Sequence, residues 1–362
     1  MNLYQKKAKR AWLALVLAAV MTGSPLPAHA ATGKTVVLGG QPFGVRFFGD
    51  GVMVVQTEEF FSGGRYVCPA EDGGLKVGDV IKRVNGTEVK TNEEMQQATL
   101  GCGGEAVRFT VLRGGKELIK TVVPQQNATG VYLLGAWVRD SCAGIGTVTY
   151  YDPQNGSFAA LGHGICDRDT AALMPLGSAE VVEASIHSVT KSTPGVAGSL
   201  NGCFSDKTLG NLTQNTETGV YGTTNDNLLQ QGSTLEIAEN NKIHVGKAQL
   251  FTTVSGESCA CYEAEITRIC NCDAKSNENF VIKVTDSELL SRCGGIVQGM
   301  SGSPIVQDGK LAGAVTHVFL ETPEEGYGIM AQNMVSNYQS EHNIWCFFVF
   351  FTIIVKKFLK KI

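Results

Sequence analysis

The stretch QGMSGSPIVQDGK, residues 298–310, holds two serines, three glycines and one proline. A serine hydroxyl becomes a nucleophile only beside a general base, and its reaction also needs donors for the oxyanion. Backbone N–H groups of a glycine-rich turn are a common source of such donors. The stretch is therefore either a nucleophile loop or a glycine-rich turn between two strands, and a histidine elsewhere in the chain has to distinguish the two.

Length and composition favour a mostly β protein of two domains. The chain has 362 residues, 43 of them glycine, and long amphipathic helical patterns are scarce. Short apolar runs separated by glycine turns are typical of strands, and the length is that of about two domains. The formal net charge is -4 and no long basic run lies in the middle of the chain. Nothing in this charge pattern favours nucleic acid as a partner.

The N-terminus has the pattern of an export signal. A basic segment at residues 6–10 precedes an apolar core at residues 11–21, and Ala28 and Ala30 then form an A-x-A cleavage pattern. We expect residues 1–30 to be a signal peptide cleaved after Ala30 or, alternatively, an uncleaved membrane anchor. Either reading places the rest of the chain outside the cytoplasm.

The chain has 11 cysteines, and four of them form two close pairs, Cys259 with Cys261 and Cys270 with Cys272. The C-x-C spacing is a weaker zinc signature than C-x-x-C. Two short strands with cysteines on one face are the favoured interpretation, and a metal site or disulfides remain open. We expect no metal and no cofactor.

The last residues carry an apolar segment, 344–355, followed by the basic stretch KKFLKKI. Twelve residues fall short of the roughly 20 that span a bilayer as a helix. The tail, residues 341–362, is of uncertain origin, and insertion at a membrane surface is one of its possible roles.

Residues 32–126 are expected to form a first, small β domain. The string GLKVGDVIKRVNGTEV at 74–89 contains an Asn-Gly turn, and Thr91 with Glu94 forms a possible capping box for a following helix. Val107, Phe109 and Val111 alternate as on one face of a strand. This order resembles a PDZ domain. The resemblance implies that PFGVRF, at 42–47, is the loop that receives a peptide carboxylate.

In that reading the peptide-binding positions are Phe43, Gly44 and Val45. The alternative is a small β domain that only packs against its neighbour.

Residues 128–340 are expected to form a second domain, a β-barrel or sandwich. Strand-like runs and turns continue to the end, and TDSELL at 285–290 is the best helical piece, with Thr285 as its expected cap. The loop GMSGSP resembles the nucleophile loop of trypsin-like serine peptidases. That resemblance implies Ser301 as the nucleophile and the N–H groups of Gly299 and Ser301 as the oxyanion hole. Ser303 would then be structural.

The general base has to be one of the histidines beyond the signal: His163, His187, His244, His317 and His342. His163 is favoured because it lies between Gly162 and Gly164 at the end of an apolar strand, where backbone or substrate can approach closely. His317 follows the serine loop, and by trypsin-like analogy its strand lines the substrate pocket.

The residues alone leave the third member of a catalytic triad open. Asp167 and Asp169 are near His163 in sequence, but a neighbour at the end of a strand rarely folds back to the ring. Asp286 precedes Ser301 by fifteen residues, and its carboxylate would equally suit the first turn of a short helix.

Four segments in order, LGHGICDRDT, VIKVTDSELL, GGIVQGMSGSPIVQDGK and GAVTHVF with GYG, resemble the stage IV sporulation protein B peptidases. The similarity extends from about Val36 to Met334. It implies a PDZ domain followed by a trypsin-like peptidase domain, with the catalytic residues Ser301, His163 and Asp286.

The resemblance also implies a role. Such a protein is a serine endopeptidase of sporulation signalling, exported to the space between forespore and mother-cell membranes. It cleaves itself and a membrane-bound regulator of an intramembrane protease, which triggers sigma-factor processing. A non-catalytic PDZ scaffold that binds membrane-protein tails is the alternative. A general quality-control peptidase fits less well, because those proteins usually place the peptidase before the PDZ domain.

Overall fold

A computed structural model describes residues 33–224 and 232–338, and this part of the chain is built mainly from strands. The strands are β1 (Thr35–Leu38), β2 (Pro42–Thr57), β3 (Phe60–Ser62), β4 (Arg65–Val67), β5 (Val80–Val84), β6 (Thr87–Glu88), β7 (Val107–Arg113), β8 (Lys116–Val122), β9 (Gln125–Gln126), β10 (Tyr132–Leu133), β11 (Ala136–Tyr151), β12 (Ser157–Ala160), β13 (Leu176–Thr190), β14 (Ser199–Thr216), β15 (Gly219–Thr224), β16 (Thr234–Glu236), β17 (Gly246–Thr252), β18 (Ala260–Ile269), β19 (Phe280–Val284), β20 (Pro304–Gln307), β21 (Lys310–Val318) and β22 (Glu325–Met330).

The helices are few and short. They are α1 (Pro69–Asp72), α2 (Asn92–Leu100), α3 (Ser287–Cys293) and a helix at residues 331–338, with one 3₁₀ turn at Asn240–Lys242. The capping box predicted for α2 is confirmed, because the Thr91 side chain accepts from the Glu94 N–H while the Glu94 carboxylate accepts from the Thr91 N–H. The cap predicted for α3 is wrong by one residue, since Asp286 and not Thr285 caps that helix.

Two closed rings of strands make up most of the described chain. In the first ring β11, β12, β15, β14, β13 and β2 pair in that order, and β2 pairs back onto β11. In the second ring β17, β18, β19, β22, β21 and β20 close on themselves. We call these the first and second barrels. The mostly β fold with a trypsin-like barrel, predicted from the sequence, is confirmed.

A PDZ-like region branches from the first barrel. The later half of β2 pairs with β5, β5 with β7, and β7 with β8. The face predicted for β7 is confirmed: Val107, Phe109 and Val111 are fully buried, in one core with Ile81. Because β2 and β11 run through both the barrel and this region, the two share strands.

The prediction that residues 42–47 form a peptide-binding loop is wrong. Phe43, Gly44 and Val45 lie inside β2, where Gly44 is paired with Ile145 of β11 on one edge and with Val182 of β13 on the other. A strand bonded on both edges has no free N–H row for an added peptide. Phe43 and Val45 are buried in the core of the first barrel. The segment that the resemblance to PDZ domains assigned to a peptide-binding loop is a central strand of the barrel instead.

The same pairing changes the predicted domain organisation at its N-terminal end. Strand β1 and the first half of β2, within the predicted domain 32–126, pair with strands of the predicted domain 128–340. Residues from Thr35 onward form one compact unit. The predicted signal at 1–30 and the tail at 341–362 lie outside the described residues. No helix of the described ranges is long and apolar enough to cross a membrane.

Shared strands predict that the PDZ-like region and the first barrel unfold together. Replacing the buried Phe109 by Ala is expected to lower the free energy of unfolding by about 3–5 kcal/mol. The fluorescence of Trp137, on β11, and the far-UV circular dichroism of the strands should be lost in one coincident denaturant transition. The exposed Phe61 gives the matched control, Phe61→Ala, with little expected change. Two separate transitions, only one of them moved by Phe109→Ala, would contradict the shared-strand account.

Candidate active site

The serine loop of the second barrel is bound directly to a strand of the first. The Thr147 N–H donates to Ser301 O at 3.0 Å, and Thr147 Oγ1 donates to Gly299 O at 2.8 Å. The Thr149 hydroxyl donates to Gly302 O at 2.8 Å. Three hydrogen bonds, two of them from buried threonine hydroxyls, therefore fix the loop against β11 where the barrels meet.

Gly302 has to be glycine for this contact to exist. Its φ is +93°, and a Cβ there would lie 2.0 Å from Thr147 O and 2.5 Å from Leu161 N. Any side chain would push the loop away from the first barrel. The glycine of the predicted nucleophile loop thus permits a close approach of two backbones.

The loop presents the donors that an oxyanion hole needs. Among the described residues, neither the Gly299 N–H nor the Ser301 N–H has a hydrogen-bond acceptor, although the neighbouring Gly302 and Ser303 N–H groups donate to Val315 O and Met300 O. Two unpaired N–H groups beside a serine hydroxyl suit a developing negative charge on a carbonyl oxygen. Both N–H groups therefore have the capacity to donate to an oxyanion, and the predicted oxyanion hole at Gly299 and Ser301 stays a prediction.

The Ser301 hydroxyl is half-buried and donates to Thr316 O at 3.0 Å. Within the described residues it makes no hydrogen bond to a histidine. Attack on a carbonyl therefore requires a rotation about its Cα–Cβ bond away from Thr316. Ser303, in contrast, is fully buried and bonded to Thr252 Oγ1 at 2.9 Å, as a structural residue would be.

His163 lies next to this loop, immediately after β12. A Cβ at Gly162 would stand 2.8 Å from Thr316 Cγ2, and one at Gly164 would stand 2.6 Å from Thr216 O, so both flanking glycines permit close contacts. The Nδ1 atom of His163 is 2.8 Å from Gly164 O, and a carbonyl can only accept. Nδ1 therefore carries a proton, which leaves Nε2 of the neutral ring as an acceptor.

Burial lowers the pKa of His163 below its ordinary value, the bond to Gly164 O opposes the shift, and the nearby His317 adds to it. A neutral imidazole is the form that can accept a proton from serine. The His317 ring is 5.1 Å from the His163 ring, centroid to centroid, and desolvation lowers the pKa of His317 too. The sequence ranked the two histidines as alternatives and gave no sign that they are neighbours.

Asp286 is not brought to His163. Its carboxylate accepts from the N–H groups of Glu288 and Leu289 at 3.0 Å each, and from the N–H of Glu263 at 3.3 Å. In the described part of the chain no hydrogen bond joins it to a histidine. The first turn of α3 needs an acceptor for its unpaired N–H groups, and Asp286 supplies it, so its role in a catalytic triad stays a prediction.

The other acids near His163 in sequence have a different use. Asp167 is buried and ion-paired with Arg139 of β11, and Asp169 binds the same guanidinium at 2.6 Å. Burial acts to raise the pKa of Asp167, but hydrogen bonds from Thr170 and the charge of Arg139 outweigh burial and hold this pKa below its usual range. The loop after His163 is thus braced onto β11. The sequence gave no signal for Arg139 as the partner.

A groove of about 650 Å³ leads along β11 to the site. Residues 141–146 of β11 line one side, and His163 and Gln298 lie at its end. Arg139, on the segment of β11 that pairs with the later half of β2, also lines it. The groove therefore connects the PDZ-like region with the serine loop.

Metal ligation was left open for the close cysteine pairs. Residues 33–224 and 232–338 contain no group of three or more His, Cys, Asp or Glu side chains placed to hold a metal ion. Burial, with a contribution from Cys261, raises the pKa of the Cys259 thiol to about 12. A thiol that resists ionisation is a poor metal ligand near neutral pH.

The family model of the SpoIVB peptidase S55 matches residues 130–335, more than half of the chain, and a PDZ domain model matches residues 67–113. The chain belongs to the SpoIVB peptidase S55 family. It contains a PDZ domain and a domain of this peptidase family, and the sequence-based recognition of the family is confirmed; the chain spans less than a quarter of the length of the curated relatives it matches.

Other similarities are short or distant. Over 57 residues the chain is 35% identical to the mitochondrial serine protease HTRA2 of Drosophila willistoni, which covers 16% of this chain and 13% of that protein. The active form of the Rv3671c protease from M. tuberculosis is 15% identical, over 54% of this chain and 72% of that one, with a TM-score of 0.30. The PDZ domain of an SdrC-like protein from Listeria monocytogenes is 22% identical, over 25% and 87%, with a TM-score of 0.21.

A lowered pKa of His163 predicts activity that persists into mildly acidic solution. The rate at which a fluorophosphonate labels the serine should fall on acidification with a midpoint below the ordinary histidine value of 6.5, because burial disfavours the imidazolium. The labelling rate measured from pH 4 to 9 checks this. His163→Ala is the control, because without the imidazole the fall in rate on acidification should disappear. A midpoint at or above the ordinary value would contradict the burial argument.

The cap geometry predicts that Asp286 matters for stability. Replacing it by Ala should lower the free energy of unfolding by about 1 kcal/mol, since two N–H groups of α3 lose their acceptor. Asn can accept the same bonds, so Asp286→Asn should retain most of the stability. Urea unfolding of both variants measures the difference. Equal losses for Ala and Asn would show that the carboxylate charge, rather than the cap, is what counts.

Proposed function

We propose that Ser301 is the nucleophile of this peptidase and His163 its general base. The observation that carries the proposal is the loop at 299–302, where two N–H groups without an acceptor among the described residues flank a serine, and where Gly302 packs against Leu161, two residues before His163. Ser301 Oγ attacks the carbonyl carbon of the peptide bond while His163 Nε2 accepts the hydroxyl proton. The carbonyl oxygen, now negative, lies against the N–H groups of Gly299 and Ser301.

Collapse of the tetrahedral species breaks the C–N bond, and His163 passes its proton to the leaving amine. Water then attacks the acyl carbon while His163 accepts a proton from it. The bond between the acyl carbon and Ser301 Oγ breaks, and His163 returns the proton to Oγ. The groove along β11 supports an extended peptide as the substrate, since residues 141–146 form an exposed strand edge leading to His163. Peptides bind such edges by adding a strand.

The physiological role that we propose is signalling in sporulation. The support is the family membership together with the order of the parts, a PDZ domain before the peptidase domain. The chain would be exported by its N-terminal segment to the space between forespore and mother-cell membranes, and that segment would supply its membrane contact. It would cleave itself and a membrane-bound regulator of an intramembrane protease.

The test is cleavage of the extracytoplasmic segment of that regulator by the chain from Ala31 onward. Parent protein should cut the segment and itself, whereas Ser301→Ala and His163→Ala should lose on the order of 10³-fold or more in rate. Ser336→Ala, at an exposed serine of the C-terminal helix, is the matched control and should cut normally.

Two outcomes would overturn different parts of the proposal. Cleavage by Ser301→Ala at the parent rate would remove Ser301 as the nucleophile. Self-cleavage without any cutting of the regulator segment would leave the peptidase chemistry in place and remove the proposed substrate.

A further inference from the structure

Residues 134–140, which we call the internal segment, lie on the PDZ-like region in the way that a bound peptide would. They include the start of β11, which pairs antiparallel with the later half of β2, so that Ala136 is opposite Thr57 and Val138 is opposite Val54. The other edge of that half of β2 pairs with β5. Peptides that bind the edge of a sheet add a strand in the same manner. The internal segment therefore fills the edge of β2 that a peptide would need.

Alternate side chains of the internal segment enter the core of the PDZ-like region. Leu134 is buried in that core, and Ala136 and Val138 pack against it. The same core includes Met95 of α2, and α2 contacts β11. Trp137, between the two packed positions, is 60% exposed. Apolar side chains at every second position are what a site for an added strand recognises.

The internal segment ends on a carboxylate that α2 holds. The N–H of Asn92, the first residue of this helix of nine, donates to Asp140 Oδ2 at 2.7 Å. The first N–H groups of a helix have no partner within the helix and favour a negative charge. The PDZ-like region thus offers a row of apolar positions followed by a position for an anion, and the chain's own residues fill all of them.

The pairing of the internal segment is distinct from the pairing of the rest of β11. The register between β11 and β2 shifts between Arg139 and Ser141, where the partner residue changes from Met53 to Phe48. Near the other end Gly135 has a φ of +71°, which glycine adopts without strain. A shift of register locally disrupts the ladder of hydrogen bonds. The pairing on the PDZ-like half of β2 can therefore open while the pairing on the barrel half stays closed.

Side-chain bonds hold the internal segment in place. The Trp137 indole N–H donates to Glu58 Oε2 at 2.6 Å, and Arg139 binds Asp167 and Asp169. These bonds have to break when the segment leaves β2. Because the segment is tethered to the region that it covers, its effective concentration there is high. A peptide from solution therefore competes with a ligand that does not diffuse away.

We propose that residues 134–140 are an internal ligand of the PDZ-like region, and that an extended peptide of the same chemistry takes the site only when they leave it. Such a peptide runs antiparallel to β2, has apolar side chains at alternate positions, and carries a carboxylate where Asp140 has one. The internal ligand lowers the apparent affinity for the peptide in proportion to the fraction of chains whose site is vacant. This inference does not depend on the proposed roles of Ser301 and His163.

The experiment is a titration of a fluorescent synthetic peptide, VYLLGAWVRD from residues 131–140, with the intact chain, followed by fluorescence anisotropy. The double variant Val138→Ala with Asp140→Ala weakens only the internal ligand and leaves β2 and α2 unchanged. It should bind the peptide about 10-fold more tightly than the parent, because more chains have a vacant site. Val123→Ala with Asp72→Ala, at two exposed positions, is the matched control and should bind as the parent does.

A peptide of the same composition in permuted order should bind none of these proteins tightly. A benzophenone attached to the original peptide should crosslink to residues 53–57 of β2 or to α2, as mapped by mass spectrometry. Equal affinities for the parent and the double variant, or crosslinks confined to other parts of the chain, would overturn the inference. Thermal unfolding shows whether the double variant is folded. If it is not, Asp140→Ala alone replaces it, with a smaller expected gain in affinity that is still absent from the Asp72→Ala control.

Discussion

The hydrogen bonds between Thr147 and the serine loop are the constraint on which the site depends. Thr147 binds two carbonyl groups of the loop, Gly299 O and Ser301 O, while the Gly299 and Ser301 N–H groups have no acceptor among the described residues. An oxyanion hole is a set of donors held ready without reorganisation, and this arrangement supplies the holding force from another barrel. The proposed nucleophile, Ser301, lies in the second barrel and the proposed base, His163, follows a strand of the first, so their relative position depends on this contact between the barrels.

The strand that provides Thr147 does more than hold the loop. β11 runs from its pairing with the later half of β2, through Arg139, to its pairing with β12. Arg139 braces the loop after His163 through Asp167, and residues 141–146 form a wall of the groove. One continuous strand thus relates the PDZ-like region, the histidine loop and the serine loop. A peptide bound along it would be aligned with all three.

Much of this site is visible in the sequence, because some residue types admit few alternatives. The glycines beside Ser301 in GMSGSP and beside His163 in LGHG are required by close contacts in the structure, and they are what singled out these two residues in the sequence. The carboxylates were harder. Asp, Glu and Asn serve equally as helix caps, ion-pair partners and catalytic acids, so Asp286 could be assigned only by resemblance, and the contacts assign it to a cap.

The role of residues 42–47 was missed for a related reason. An alternating apolar run fits the edge strand of a PDZ domain and the central strand of a barrel equally well, and only the pairing partners distinguish them. Those partners, Ile145 and Val182, lie more than a hundred residues away. Periodicity shows which face is buried but carries no information about which distant strand covers it. The proximity of His317 to His163 is likewise a product of long-range pairing.

The proposal that Ser301 and His163 act together at the junction of the two barrels is tested most directly by a crystal structure of the phosphonylated chain. The account predicts a phosphorus bonded to Ser301 Oγ, with its free oxygen within hydrogen-bond distance of the Gly299 and Ser301 nitrogens and His163 Nε2 turned toward Oγ. An adduct on another residue, or an oxygen that touches neither amide, would contradict it.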